Sequence, residues 1–137
     1  MKLSPNFTLK ELTATEFPSL QSEPHVSDVV NLVYLCAAVL QPLRDMYGQP
    51  IFISSGYRSI ALNKHVGGVE NSFHLHGLAA DLRVNSESEA FALFCLLKTI
   101  PAVDSCLFER RGNVRWLHVQ TVLNRPPRRH FNYNYNV

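Results

Sequence analysis

A single carboxylate inside an apolar strand does most to limit the folds open to this chain. Leu78 to Val84 reads as a short β-strand, and Asp81 stands near its centre. In a strand, Ala79 and Asp81 point to one face, while Ala80, Leu82 and Val84 point to the other. Burying an unpaired carboxylate is costly, so the fold must bring Asp81 a partner, either a metal or an arginine. The residues just before it are Ser72-Phe73-His74-Leu75-His76-Gly77. A turn at Gly77 lets His74 reach the same point as Asp81, and the small Gly77 and Ala79 allow backbone to pass close by. A third polar residue, His118, lies in Arg115-Trp116-Leu117-His118-Val119-Gln120. There Leu117 and Val119 fill the core face and His118 takes the other. Two histidines and a carboxylate form a known catalytic zinc set, with water in the fourth position. Spacing alone also admits three unrelated polar residues on a sheet.

The rest of the chain supplies the frame. Thr8 and Glu11 have capping-box spacing, which starts a short helix with Leu9 and Leu12 facing inward. Thr13 to His25 reads as an extended surface wrap. Ser27 is the expected cap of a long helix whose Leu32, Leu35, Cys36, Val39, Leu40 and Leu43 recur at spacings of three and four. Pro42 should kink or break that helix near its end, and Gly48 suits its C-terminal side. Pro50 to Ser54 reads as a short buried strand and Ile60 to His65 as a brief helix. Ser86 caps a second long helix with Ala90, Phe91, Phe94 and Leu97 as its buried stripe. Val103 to Phe108 and Val114 to Val122 form two strands around Arg110-Arg111-Gly112-Asn113, a hairpin signal. The expected fold is α+β, a small, mainly antiparallel sheet with helices packed on one side. It makes one domain over residues 1–137, with 124–137 as a flexible tail.

Composition excludes several classes. The chain has 137 residues, 46% hydrophobic and 18% charged, which suits one globular core. A net charge of +2 is too small to imply a nucleic-acid partner. The basic, aromatic segment from Arg125, Arg128 and Arg129 to Tyr133 and Tyr135 is thin support for single-strand binding. Cys36, Cys95 and Cys106 form no CxxC spacing, and each lies in an apolar run, so buried free thiols are expected. No run of about 18 apolar residues suggests membrane insertion. Met1-Lys2-Leu3-Ser4-Pro5 carries no secretory signal, so the expectation is a product made in the cytoplasm, and as a monomer.

Several spaced motifs occur together. Ser72, His74, Gly77, Ala79 and Asp81 match SxHxxGxAxD at every fixed position. Upstream stand Ser55-Gly56-Tyr57-Arg58-Ser59, Leu62-Asn63 and Val66-Gly67-Gly68, and Trp116-Leu117-His118-Val119 closes the set. Phe7 to Leu12 and Val39 to Arg44 add to the likeness. In these motifs, from about residue 7 to residue 125, the chain resembles the D-Ala-D-Ala carboxypeptidase family of zinc peptidases, in its phage-like carboxyl-terminal branch.

The resemblance implies a Hedgehog/DD-peptidase-like fold and one Zn2+ per chain, held by His74, Asp81 and His118. It implies a zinc metallopeptidase of the D,D-carboxypeptidase or peptidoglycan endopeptidase type, acting on peptide bonds of cell-wall stem peptides and encoded by a phage or prophage. Such a lysis enzyme would reach the wall after release from the cytoplasm. Arg58 matches a family arginine that faces the cleft, where its fork can hold a substrate carboxylate or a developing oxyanion. Tyr57, Ser72 and Trp116 are candidate substrate-binding residues, and Ser72 equally fits holding the loop. The chain departs from many relatives at Arg115, where an acid commonly stands three positions before the last histidine. Glu109 instead matches the glutamate that ends the preceding strand in the branch, and is the candidate general base. A tight hairpin pairs it with Val114, on the face of His118 but roughly 13 Å along the strand at about 3.4 Å per residue, and a wider loop or a bulge is expected to bring it closer. The Arg115 departure also admits a non-catalytic zinc module that binds peptidoglycan or protein, as the related Hedgehog signalling domain acts by binding.

Overall fold

Alternation along three strands sorts the sheet into a core face and a polar face. The computed structural model describes residues 1–134. Its main sheet contains β3 (Phe52–Ser55), β4 (Ala79–Arg83), β5 (Val103–Arg111), β6 (Val114–Thr121) and β7 (His130–Asn132), in the order β3-β4-β6-β5-β7. A separate two-stranded ribbon joins β1 (Lys2–Ser4) to β2 (Phe7–Thr8). The fold is α+β, as the sequence indicates, but the sheet is mixed. β3–β4, β4–β6 and β5–β6 are antiparallel, whereas β7 runs parallel to β5.

On the core face Ala80 and Leu82 of β4 sit opposite Val119 and Leu117 of β6, which in turn face Cys106 and Phe108 of β5. All six are buried. The other face carries Asp81 opposite His118 and Ala79 opposite Gln120.

Most of the helical residues pack on the core face. α1 (Leu9–Thr13) starts with the anticipated capping box, Thr8 Oγ1 accepting from the Glu11 N–H and Glu11 accepting from the Thr8 N–H. α2 (Val26–Leu35) continues through a π-helical turn (Cys36–Leu40) into α3 (Gln41–Tyr47). Leu32, Leu35, Cys36, Val39, Leu40 and Leu43 are completely buried along it. Each leucine contributes about 1.5–3 kcal/mol relative to exposure, so this stripe fixes how the helix lies. Gly48 ends it in the left-handed conformation, φ 75°.

Several sequence expectations are corrected. The long helix starts at Val26, and its cap is His25 rather than Ser27, two residues earlier, because the Asp28 carboxylate accepts from the His25 N–H. Pro42 does not break it. The preceding π turn, in which the Gln41 N–H donates to the Cys36 carbonyl, displaces the backbone with which the ring would clash. The resulting 22-residue helix, Val26–Tyr47, is long and apolar enough that by length and composition alone it could cross a membrane. Its apolar stripe is already spent on the sheet, as befits a core helix. β3 is a half-exposed edge strand rather than a buried one, with Phe52 facing out. The brief helix expected from Ile60 to His65 forms as α4 (Ile60–His65), and in α5 (Glu87–Leu97), capped by Ser86 as expected, Leu93 is buried and Phe91 is exposed, resting edge-on against Tyr133. Cys95 on the outer side of α5 is exposed, while Cys36 and Cys106 are buried. Burial pushes the Cys36 thiol up to about 12 and that of Cys106 upward too.

The segment after Asn124 also departs from a free tail. β7 pairs with Ser105 to Leu107, and Tyr133 stacks on Phe108. The last part of the expected tail, 135–137, lies outside the described residues.

Candidate metal centre

His74, Asp81 and His118 come together from three different local structures. Ser72 caps a short 3-10 helix (Phe73–His76), its Oγ accepting from the His74 N–H at 3.2 Å. Gly77 closes that turn with φ 73°, and a Cβ there would lie 2.6 Å from the Asp28 carbonyl oxygen, so only glycine fits. The turn aims His74 at β4. Asp81 and His118 then meet as directly opposed residues of neighbouring strands.

The geometry leaves one nitrogen of each imidazole facing Asp81. His74 Nδ1–H donates to the Gly56 carbonyl at 2.7 Å, so its Nε2, 3.3 Å from Asp81 Oδ1, carries the free lone pair. His118 Nδ1 lies 3.0 Å from the same oxygen, and its other nitrogen, Nε2, is 2.8 Å from Gln120 Oε1. The three ligand atoms all lie within 4.8 Å of one another. They are two ring nitrogens and a carboxylate oxygen converging on one point, each imidazole already held by its second nitrogen. That donor set fits a metal ion with an open position.

Charge is balanced tightly around this point. Burial works to raise the Asp81 pKa, yet His74 and His118 beside it hold the carboxyl well below its usual range. Burial pushes His74 down. For His118 burial pulls the same way, but its contact with Asp81 wins and the net shift is upward. Arg58 supplies a further cation. Its Nη2 donates to Asp81 Oδ2 at 3.1 Å, its Nη1 to Asn63 Oδ1 at 3.2 Å and its Nε to Ser55 Oγ at 3.0 Å. Of the two partner types that the sequence left open, Asp81 therefore has the arginine, beside a donor set that fits a metal.

The three candidate ligands line a cleft of about 530 Å³, walled by Arg58, Ser72, Glu109, Arg111 and Trp116 and by the loop from Val66 to Val69. The β5–β6 hairpin is tighter than expected. Arg111 pairs with Val114 across a two-residue turn, so Glu109 sits opposite Trp116 rather than Val114. It is thus the diagonal neighbour of His118, on the order of 7–8 Å away between backbones rather than 13 Å. Burial raises the Glu109 pKa against the pull of His118.

Tyr57 does not reach the cleft. It is buried in the hydrophobic core, and its carbonyl accepts from Gln21. Ser72 holds the His74 turn from within the cleft wall. Trp116 lines the cleft, whereas Arg115 lies on the opposite parity and leaves its buried Nε without a partner among the described residues.

Three site residues escaped sequence reasoning. Gln120 follows His118 at the i+2 position, the signal that could have found it. Asn63 anchors both Arg58 and the Val69 carbonyl. Asp104 would not share a face with His118 in a regular strand, but a β-bulge between Val103 and Ser105 turns it toward Gln120.

The sequence model of peptidase M15 matches residues 5–120, and the chain belongs to that family of peptidases. Among curated relatives, it is 42% identical over 59 residues to the zinc D-Ala-D-Ala carboxypeptidase of Streptomyces albus G. That stretch covers 42% of this chain, and the chain spans only 21% of the relative's length.

Proposed function

We propose that this chain is a zinc-dependent peptidase that hydrolyses peptide bonds in peptidoglycan stem peptides, acting at the cell wall. The observation that carries the reading is the convergence of His74, Asp81 and His118 on the floor of an open cleft that a half-buried carboxylate, Glu109, also lines. Membership of a peptidase family and the likeness to a zinc D-Ala-D-Ala carboxypeptidase support it.

Zinc, when bound, supplies a Lewis acid for the scissile carbonyl and lowers the pKa of water. The protein's own groups do the rest. Glu109 takes the proton of the attacking water and returns it to the leaving amine. Its raised pKa keeps it basic enough for this work. Arg58 uses three of its five N–H donors on Ser55, Asn63 and Asp81, which leaves two for a substrate oxygen. Trp116 offers an apolar wall beside Glu109, and Ser72 keeps His74 in place.

The test is incubation of zinc-replete protein with purified muropeptides, followed by mass analysis. Defined peptide cleavage that stops on chelation and returns with zinc supports the reading, and the product masses separate carboxypeptidase from endopeptidase action. Stoichiometric zinc with no cleavage would favour the binding module instead. Absence of stoichiometric metal from folded, metal-replete protein, or its retention by His74→Ala and His118→Ala, would sink the metal site.

A further inference from the structure

A buried carboxylate outside the cleft is joined to a candidate metal ligand by a single side chain. Asp104, fully buried in the β5 bulge, accepts from Gln120 Nε2–H at 3.0 Å, from Arg125 Nη1 at 2.8 Å, and from the Arg128 side chain and backbone N–H at 3.0 and 2.7 Å. Gln120 Oε1 in turn lies 2.8 Å from His118 Nε2. We propose that Asp104 and Gln120 are positioning residues that select the tautomer of His118, so that Nδ1 rather than Nε2 faces the metal.

A carboxylate surrounded by two arginines stays ionised and can only accept. The amide of Gln120 must therefore turn its NH2 toward Asp104, which leaves its oxygen for His118. An oxygen can only accept, so His118 Nε2 must carry the proton. Its Nδ1 is then the lone-pair nitrogen, on the side of Asp81 and His74. Were Asp104 neutral or absent, the amide could flip, and an NH2 facing Nε2 would favour the tautomer that presents N–H to the metal. The segment that carries Arg125 and Arg128 thereby acts on the site through two side chains without entering the cleft.

This role presupposes the metal site, and the test separates the two. Zinc affinity is measured by chelator competition, ligand geometry by the visible bands of the cobalt-loaded protein, and the protonated nitrogen by long-range 1H–15N spectra of the zinc-loaded protein. Wild type should bind zinc with His118 protonated at Nε2. Gln120→Met should weaken zinc about 10–100-fold and shift the cobalt bands, with little change in the unfolding of metal-free protein. Asp104→Asn should weaken zinc similarly. The double variant Asp104→Asn/Gln120→Glu restores an acceptor-only group against His118 and should recover most of the affinity, whereas a merely structural role for Asp104 would leave the Asp104→Asn loss unrepaired. If Asp104→Asn fails to fold, Gln120→Met decides. Zinc affinity and cobalt bands of Gln120→Met equal to wild type, or His118 protonated at Nδ1 in wild type, overturn the proposal while the metal site stands. A wild type that binds no zinc overturns both.

Discussion

Replacing Glu109 with glutamine removes one proton acceptor and changes almost no volume. The residue lies on the cleft wall, cross-strand from Trp116 and diagonal to His118, and it is not one of the three candidate ligands. Loss of a positioned general base costs about 10²–10⁴ in rate. At 1.36 kcal/mol per tenfold, that is about 2.7–5.4 kcal/mol of transition-state stabilisation. Burial lifts the Glu109 pKa above the ordinary 4.5, toward the pH at which a base works best. The base must be ionised, so kcat/KM should fall as pH drops through that raised value. The glutamine variant should lose this acid limb along with its rate. Zinc content and melting temperature should hold. The assay is kcat/KM on a defined muropeptide, quantified by mass across the acid and neutral range, with zinc measured in every sample. A zinc-replete Glu109→Gln protein with the parental rate and an intact acid limb would refute the assignment.

Arg58→Ala should reduce turnover and also weaken zinc by roughly tenfold, since the guanidinium holds the second oxygen of Asp81; parental values of both would make it a surface residue in effect. Gly68→Ala should lower stability by about 1–3 kcal/mol, seen as a fall in denaturant midpoint, because the new Cβ would lie 2.1 Å from Oδ1 of the buried Asn63 and push it off Arg58. Asp104 has a native pKa held below its ordinary 3.8; burial opposes this, but the Arg125 and Arg128 contacts prevail. Its contribution to stability is complete above the unfolded value and is lost as pH falls through the depressed native one. Acid unfolding of wild type compared with Asp104→Asn should therefore converge at low pH, and curves that run parallel throughout would contradict the linkage.

What the sequence displayed well was local or periodic. The capping box at Thr8 and Glu11, the apolar stripe from Leu32 to Leu43 and the alternation around Asp81 and His118 each depend on neighbours a few residues away. The motif from Ser72 to Asp81 likewise announced residues that do meet. What stayed hidden depended on extra or displaced backbone. The π turn before Pro42 and the bulge at Asp104 each break the period on which sequence reading rests. The hairpin shows how small the margin is. Reading four loop residues where two form the turn kept Glu109 on the correct face but moved it one cross-strand pair away from His118. Tyr57 and Phe91 failed for another reason, since an aromatic residue fits a core or a cleft equally well and only the tertiary path decides between them.

Chemistry and packing occupy opposite faces of the same strands, and one residue of slippage would exchange them. A shift of β4 against β6 would force Asp81 or His118 into the hydrocarbon interior and turn Leu82 or Leu117 out to water. The side chains that would hold a metal are thus in position only in the native pairing. A bound ion would act as a proofreader of strand alignment, stabilising the correctly paired chain by mass action and leaving mispaired ones without that support.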